Sequence, residues 1–312
     1  MTEHRPFSLQ DHVAGIVLFG PDPAHLRAVV TMLLEEVGLV LLYLNSPTTP
    51  ELDTALAPFR EGGRLRLLGD GDNRGLGTAY NGMAAIAAGY GARTLLLLDQ
   101  DSLPPPGMVE GLAEATSRLR KAGHRIAVVG PTIQNLDGTP QSPPPGRPAS
   151  GEAPVGLTPV DAVISSGSLI SLEALREIGP FREDFFIDMV DTEWSLRGWA
   201  RGCGSWIAES VSMRHALGKG TLSSFGVTIV LHEPARIYTA LRNETAMLWL
   251  GHVPWRRRLS FLLSLAPRSL ALLRHAPNGR AMLRAIRLGL IDGALRRLGD
   301  PRPRWRTLRR DS

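Results

Sequence analysis

The sequence predicts an α/β fold built around a mostly parallel, doubly wound sheet. Five short segments, at 14–20, 39–45, 64–70, 94–99 and 126–131, are almost continuously apolar and alternate with segments of helical periodicity. Strands of that character are typical of a sheet covered by helices on both faces. The alternation therefore favours parallel strands joined by helical connections over an all-β or an all-helical fold.

Helical spacing of apolar residues predicts the connecting helices at 22–37, 77–92 and 108–123. Asp22 can cap the first of them, and Pro23 suits its first turn. The second is rich in Gly and Ala, so we expect it to pack closely on the sheet. Residues 140–159 are rich in Pro, Gly and Ser and predict a surface loop. The chain beyond 251 is predicted to be helical, with the apolar segment 259–273 broken at Pro267-Arg268.

Composition restricts the class of protein. With 43% hydrophobic and 21% charged residues, the chain is typical of a globular protein. The single cysteine, Cys203, excludes a disulfide framework. The N-terminus has no signal-peptide pattern and no apolar segment is long enough to span a membrane, which predicts a cytoplasmic protein.

Charge is distributed unevenly along the chain. Residues 251–312 contain fifteen arginines and three acidic residues, a net charge of +12, so that residues 1–250 carry −7 of the overall +5. A basic segment of this kind suits an anionic membrane surface, a phosphorylated substrate or nucleic acid. It lacks the interleaved aromatic residues of nucleic-acid-binding modules, which argues against the last of these.

Two carboxylates follow the buried strand at 94–99. Side chains at positions i and i+2 of a strand point to the same side, so Asp99 and Asp101 can converge while Gln100 points away. Ligands of open α/β sheets bind beyond the carboxyl ends of the strands. Two nearby carboxylates repel each other unless a cation lies between them, so the pair suits a divalent metal that carries a phosphate group.

Further motifs accompany this pair in a fixed order. They are DGDNRGLGTAYNGM (70–83), LLLLDQDS (95–102), DAVISSGSLIS (161–171), FREDFFIDMVDTEWSLRGWARG (181–202), MRHALGKG (213–220) and LHEPARIYTALRNE (231–244). In this order they resemble family 2 glycosyltransferases of the GT-A fold, and within them the bacterial rhamnosyltransferases that build O-antigen and related surface polysaccharides. The resemblance covers about residues 14–250. It implies a catalytic domain at 1–250 and a basic helical extension at 251–312.

The resemblance also implies roles for individual residues. Asp99, Asp101 and His215 would hold Mn²⁺ or Mg²⁺, and the imidazole favours Mn²⁺. Asp191 would act as the base that deprotonates the acceptor hydroxyl. If a helix begins near residue 189, Asp188 shares a face with Asp191.

Donor or nucleotide binding is expected at Phe19, Asn45, Asn73, Gly75, Asn81, Gln100 and Arg242. Acceptor binding or support of the site is expected at Ser166, Gly167, Asp188, Glu193, Trp194 and His232. Leu44 stands where the family carries an acidic residue, and FGP (19–21) replaces the usual Tyr-Asn-Pro. These departures concern recognition of the nucleotide base.

The function implied is inverting transfer of a sugar, L-rhamnose from dTDP-rhamnose, onto a glycan or a polyprenyl-linked glycan. Alternatives are another donor, such as UDP-galactofuranose or a UDP-hexose, and a nucleotide-sugar-binding protein without turnover. A nucleotidyltransferase would carry a Gly-rich, basic loop after the first strand, and FGPDPAH (19–25) is not one. The basic segment leads to the hypothesis of peripheral contact with the inner face of the cell membrane.

Overall fold

The computed structural model describes residues 7–135, 137–215, 221–224 and 227–310. Its strands are β1 (His12–Leu18), β2 (Leu39–Leu44), β3 (Leu65–Leu68), β4 (Thr94–Asp99), β5 (Ile126–Gln134), β6 (Leu157–Val160), β7 (Ser168–Ser171), β8 (Gly204–Arg214), β9 (Thr221–Ser224) and β10 (Val227–Val230). Its α-helices are α1 (Pro23–Glu36), α2 (Pro50–Arg60), α3 (Gly75–Tyr90), α4 (Met108–Lys121), α5 (Leu172–Ile178), α6 (Val190–Ala200), α7 (Pro234–Met247), α8 (Trp255–His275), α9 (Gly279–Ala294) and α10 (Arg302–Arg310).

Eight strands form one mixed sheet in the order β3-β2-β1-β4-β7-β5-β8-β6. The four strands from β3 to β4 are parallel, β7 runs antiparallel to both β4 and β5, and β5 pairs in parallel with β8. β9 and β10 form a separate antiparallel hairpin. The parallel half brings the carboxyl ends of β1, β2 and β4 to one edge, which is the edge where ligands of such sheets bind.

The leucines of β4 show why the strand sequences are continuously apolar. Leu95 and Leu97 belong to the core on the side of α3 and α6, whereas Leu96 and Leu98 belong to the core on the side of α1 and α4. β1, β2 and β4 are therefore buried on both faces, whereas the edge strand β3 is only partly buried. This arrangement confirms the α/β prediction and fixes the direction in which the end of β4 points.

Most predicted elements of the first half are present within two residues of their predicted bounds. α2 is an addition to the predicted helices, with Thr49 as its N-cap and Pro50 in its first turn. The predicted loop at 140–159 extends to residue 156, where β6 follows.

The predicted break at Pro267-Arg268 is wrong. α8 runs through Pro267 as a single helix of 21 residues. Proline removes one helical hydrogen bond, but side chains on both sides of it, Phe261 and Leu265 before and Leu272 after, pack into one apolar cluster with α7 and α9. Tertiary packing thus holds the two halves in line.

The C-terminal helices pack closely on α7. A Cβ atom on Gly289 would lie 2.7 Å from the Tyr238 carbonyl oxygen, and one on Gly293 would lie 2.4 Å from that of Arg242, so α9 approaches α7 at backbone contact. Among the described residues, no helix has the combined length and apolar character to cross a membrane. The division of the chain at residue 250 stays a prediction.

We predict that Gly77→Ala lowers the free energy of unfolding by about 1–3 kcal/mol, because the added Cβ of this α3 residue would lie 2.5 Å from the Arg182 carbonyl oxygen. Gly89→Ala in the same helix is the matched control, since no atom lies within 4 Å of its Cβ position. It should be neutral or stabilise by about 0.5–1 kcal/mol. Equilibrium urea unfolding measures both, and equal stability of the two variants would contradict the packing.

Candidate active site

The site forms at the end of β4, where three metal-ligating side chains converge. Carboxylate oxygens of Asp99 and Asp101 and a ring nitrogen of His215 all lie within 4.8 Å of one another. The Asp99 Oδ2 and His215 Nε2 atoms are 3.7 Å apart. His215 follows Asp99 by 116 positions and Asp101 by 114 positions in the chain, and the fold brings them together by setting β8 across the sheet from β4.

The orientation of His215 suits a metal ligand. Its backbone N–H donates to the Gln134 carbonyl at 2.9 Å, which anchors it beyond the end of β8. Its Nδ1 lies 3.1 Å from the Ser102 hydroxyl, which is 2.7 Å from the Ser166 hydroxyl. Nε2 therefore faces the carboxylates, and the second ring nitrogen is held by a hydrogen bond, as is usual for metal-bound histidine.

The electrostatics of the cluster also favour a cation. Burial raises the pKa of Asp99 above its usual value, and the charges of Asp101 and Asp191 raise it further, against the opposing effects of His215 and Arg236. Like charges that are partly desolvated are stabilised by a cation placed between them. Two carboxylates and one imidazole fit Mn²⁺ or Mg²⁺, whose further ligands would be water or a diphosphate.

Asp191 lies in the first turn of α6 and is oriented by the turn that precedes β7. Its Oδ2 accepts hydrogen bonds from the Ser165 backbone N–H at 3.0 Å and from the Ser165 hydroxyl at 3.2 Å. Its Oδ1 accepts from the Thr192 N–H at 2.6 Å. A carboxylate at a helix N-terminus is also stabilised by the helix dipole. These hydrogen bonds fix the orientation of the carboxylate, whose charge acts on Asp99 of the metal-ligating cluster.

Tyr80 lies beneath these groups and was not singled out from the sequence. Burial, together with the charges of Asp99 and Asp191, raises the pKa of Tyr80 well above its usual value, although a hydrogen bond with Ser165 opposes the shift. The phenol therefore stays protonated and supports Ser165 from the α3 side.

Both the sequence and the fold were found to resemble those of known proteins. No protein-family model matches the sequence. The chain is 29% identical to the dTDP-rhamnosyl transferase RfbF of Shigella flexneri over 248 residues, which cover 77% of this chain and 81% of that protein.

Two groups of solved structures resemble the fold. Residues 1–349 of TarS from S. aureus, in complex with UDP-GlcNAc, match with a TM-score of 0.58 at 12% identity over 91% of this chain and 81% of that one. The chain spans 44% of a longer TarS structure. GalNAc-T7 with UDP, GalNAc and Mn²⁺ matches with a TM-score of 0.55 at 13% identity over 85% of this chain and 58% of that one.

The protein is a glycosyltransferase with the GT-A fold. Both the predicted fold class and the predicted enzyme class are thereby confirmed.

The segment before α6 is a strained turn. Phe186, Asp188 and Met189 all have positive φ, between 63° and 66°, which non-glycine residues rarely adopt. The Asn243 side-chain amide donates to the carbonyls of Phe185, Ile187 and Asp188 at 2.8–2.9 Å and so holds the turn. The expectation that Asp188 shares a helix face with Asp191 is wrong, because α6 begins only at Val190.

Asp188 is held on the other side by Arg236. Its Oδ1 accepts from the Arg236 guanidinium at 3.2 and 3.3 Å, while its Oδ2 is buried and has no hydrogen-bond partner in the structure. Burial raises the pKa of Asp188, and Arg236 opposes the shift. The Arg236 side chain is about half exposed and its charge also acts on Asp99. It is the arginine of the last motif that faces the metal-ligating cluster.

The placement of Arg242 does not support the expected role in donor binding. Its side chain is 1% exposed, and its guanidinium donates to the backbone carbonyls of Gly299 at 2.9 Å and Phe185 at 3.1 Å. Its Nε donates to Asn243 Oδ1 at 3.0 Å. Arg242 therefore fixes the positions of Asn243 and the strained turn through hydrogen bonds in the protein interior.

The asparagines expected at the nucleotide pocket form internal hydrogen bonds. Asn45 is buried and accepts from the Arg74 N–H at 3.1 Å, and Asn73 accepts from the Gly75 N–H at 3.0 Å. Gly75 has φ +81°, and a Cβ there would lie 2.6 Å from the Phe186 carbonyl oxygen. These contacts shape the loop before α3, and nucleotide contact by this loop stays a prediction.

Asn81 and Gln100 also bond to backbone. Asn81 pairs with the N–H and the carbonyl of Phe181 at 2.8 and 3.0 Å, which ties α3 to the segment before the strained turn. Gln100 pairs with the N–H and the carbonyl of Phe19 at 2.7 and 3.1 Å. These two hydrogen bonds join the ends of β1 and β4. The Phe19 ring remains largely exposed at the rim of the site.

Ser166 and Gly167 support the cluster directly. The Ser166 hydroxyl accepts from the Asp99 N–H at 3.3 Å, in addition to its contact with Ser102. Gly167 has φ +83° and its N–H donates to the Leu97 carbonyl at 2.8 Å. A left-handed turn at this point lets one short segment reach both β4 and α6.

Glu193 and Trp194 are buried and position α6. Glu193 pairs with Arg197 and with His252, both at 2.9 Å. Burial would raise the pKa of Glu193, but the hydrogen bonds from His252 and Arg197 outweigh it and lower the pKa. Trp194 stacks on Phe181 and donates to the Gly179 carbonyl at 2.9 Å.

His232 precedes α7 and is partly buried. Burial lowers its pKa, and the charge of Arg236 lowers it further, so the imidazole is neutral near pH 7. Its contact with an acceptor stays a prediction. Residues 216–220 of the motif that contains His215 lie outside the described residues.

We predict that Asp101→Asn and His215→Ala each weaken Mn²⁺ binding by at least about tenfold, because each removes a ligand from a three-residue set. His232→Ala is the matched control and should bind Mn²⁺ as the wild type does. Electron paramagnetic resonance of free Mn²⁺ during titration measures the affinity. Wild-type affinity in both ligand variants would contradict the assigned site.

Proposed function

We propose that the enzyme is an inverting glycosyltransferase that moves L-rhamnose from dTDP-rhamnose to a glycan or a polyprenyl-linked glycan. The observation that carries the proposal is the convergence of Asp99, Asp101 and His215 beside a carboxylate, Asp191, that is oriented by hydrogen bonds. The similarity to a dTDP-rhamnosyl transferase supports the choice of donor. The alternatives within this chemistry are UDP-galactofuranose and UDP-hexoses.

Asp191 and Ser165 have different roles in the reaction. Asp191 accepts the proton of the acceptor hydroxyl as that oxygen attacks the anomeric carbon from the face opposite the leaving nucleoside diphosphate. Inversion follows from this direct displacement. Ser165 keeps the accepting oxygen in place, and a fixed base contributes to the rate by removing the need to reorient it.

Asp99, Asp101 and His215 would hold the metal ion, which neutralises charge on the diphosphate when bound. The donor set favours Mn²⁺ over Mg²⁺ because it includes an imidazole, and GalNAc-T7 was solved with Mn²⁺. Arg236 extends the positive charge at the same edge. In place of Arg242, we propose Arg236 as the arginine that contacts the donor diphosphate, because its guanidinium is exposed and forms a planar fork.

Peripheral contact of 251–312 with the inner face of the cell membrane is part of the proposal. α8 carries exposed apolar side chains along one face, at Trp255, Leu259, Leu262, Leu263 and Leu270. The helix also contains five arginines and no acidic residue. An apolar face flanked by arginines suits the interface of an anionic bilayer.

We predict that Asp191→Asn abolishes sugar transfer and leaves donor and metal binding intact. The asparagine amide has nearly the shape of the carboxylate that it replaces, but it cannot take up a proton from the acceptor hydroxyl. Transfer is measured as release of the nucleoside diphosphate in the presence of acceptor. Donor binding is measured as the thermal shift produced by dTDP-rhamnose with Mn²⁺.

The same thermal-shift measurement tests the donor. A larger shift with dTDP-rhamnose than with UDP-hexoses or UDP-galactofuranose is expected in the wild type. Wild-type turnover by Asp191→Asn would contradict the assignment of the base, and a preference for a UDP-sugar would replace the donor without changing the chemistry.

We predict that the wild type co-sediments with phosphatidylglycerol vesicles at low salt and that Leu262→Glu with Leu263→Glu reduces binding by at least about tenfold, since two exposed leucines lose their burial in the bilayer. Val155→Glu is the control, because Val155 is 90% exposed and lies far along the chain from α8. Equal vesicle binding by all three proteins, or concentration-dependent self-association through α8, would contradict membrane contact.

A further inference from the structure

An open groove lies between α7 and α8, outside the metal-ligating cluster. Its volume is about 190 Å³. Its lining includes Met189, Glu244, Met247, Leu248, Val253, Phe261, Ser264 and three arginines, Arg257, Arg258 and Arg268. Apolar walls combined with a few charged groups are typical of a ligand-binding site.

The charged groups of the groove are fixed in place and leave a positive excess. Arg268 pairs with Glu244 at 2.6 Å, and Arg258 donates to the Val253 and Leu250 carbonyls at 3.0 and 2.7 Å. Arg257 is only 4.0 Å from Asp161, whose carboxylate is already bonded to Arg147 at 3.2 Å. Three arginines against one buried glutamate favour an anionic group of high charge density, such as a phosphate.

The apolar wall gives the groove its second property. Met247, Leu248 and Val253 lie on the α7 side, and Phe261 lies on α8. Met side chains adapt to flexible apolar chains. The same helix carries the exposed apolar face of Trp255, Leu259, Leu262, Leu263 and Leu270, so an apolar chain that leaves the groove meets further apolar surface.

The groove begins at the catalytic turn. Met189 lines it and is followed, two residues later, by Asp191. Met189 belongs to the strained turn that Asn243 holds, so the inner end of the groove has a fixed position relative to the base. A molecule anchored in the groove would therefore have one end beside the turn that leads into Asp191.

We propose that the groove between α7 and α8 binds a prenyl phosphate or diphosphate, the lipid end of the acceptor, with the phosphate at Arg257 and Arg268 and the apolar chain along Met247, Leu248 and Phe261. This assignment rests on the proposed function for its biological meaning. The binding itself requires neither donor nor metal.

Farnesyl diphosphate is the probe, used below its micellar concentration and with EDTA so that the metal-ligating cluster cannot contribute. Isothermal titration should show binding to the full-length enzyme, at least about tenfold weaker binding by Arg257→Gln, and no detectable binding by Ser264→Trp, whose indole would fill the groove. Arg256→Gln is the matched control, because Arg256 is exposed and lies against Trp255 instead of the groove. Inorganic diphosphate and farnesol are measured in parallel.

Each outcome separates the two proposals. Inorganic diphosphate binding as tightly as farnesyl diphosphate would overturn the lipid assignment. Unchanged affinity in Arg257→Gln, or binding by farnesol as tight as by farnesyl diphosphate, would overturn the phosphate assignment. The thermal shift with dTDP-rhamnose and Mn²⁺ is measured on the same variants and should stay at the wild-type value. Its absence in the wild type, together with intact farnesyl diphosphate binding, would reject the proposed donor and leave the groove assignment standing.

Discussion

The hydrogen bonds of one short turn, Ser165 to Gly167, hold the parts of the active site in register. Ser165 binds the Asp191 carboxylate, Ser166 binds the Asp99 backbone and Ser102, and Gly167 binds the Leu97 carbonyl. Through Ser102 the same turn reaches His215. Base and metal ligands come from three separate elements, and transfer requires a fixed separation between them. The turn supplies that separation.

A second constraint comes from the C-terminal part of the chain. Three positive-φ residues before α6 each cost about 1–3 kcal/mol, so the turn persists only because its surroundings determine it. Asn243 satisfies three of its carbonyls, and Arg242 links Asn243 to Phe185 and Gly299. The helices beyond residue 250 thus contribute to the geometry beside Asp191, which explains why the buried arginine of the last motif is not available to a ligand.

The parts of the fold and site that the sequence predicted are those with strong local signals. The continuous leucines of β4 and the helical periodicity of α1, α3 and α4 required no knowledge of tertiary contacts. The convergence of Asp99, Asp101 and His215 came from the order of motifs. Pro267 misled because packing across α8, which no local pattern shows, outweighs one lost hydrogen bond.

The supporting residues were harder to recognise. Ser165, Tyr80 and Asn243 act through partners 26 to more than 80 positions away in the chain, or through backbone carbonyls. Residue type alone does not distinguish such a side chain from an ordinary polar one. Arg242 and Arg236 are six residues apart in one motif, and only burial separates them: the first is enclosed by carbonyls and the second faces Asp99.

Charge repulsion constrains the reaction that we propose. A nucleotide-diphospho-sugar and a lipid phosphate are both anions, and both must approach one carboxylate, Asp191. Repulsion is avoided if each anion is neutralised separately, one by a cation between Asp99 and Asp101 and the other by the arginines of α8. Two further acidic residues have a positional role, because Glu244 holds Arg268 in the groove and Asp188 holds Arg236 at the strained turn.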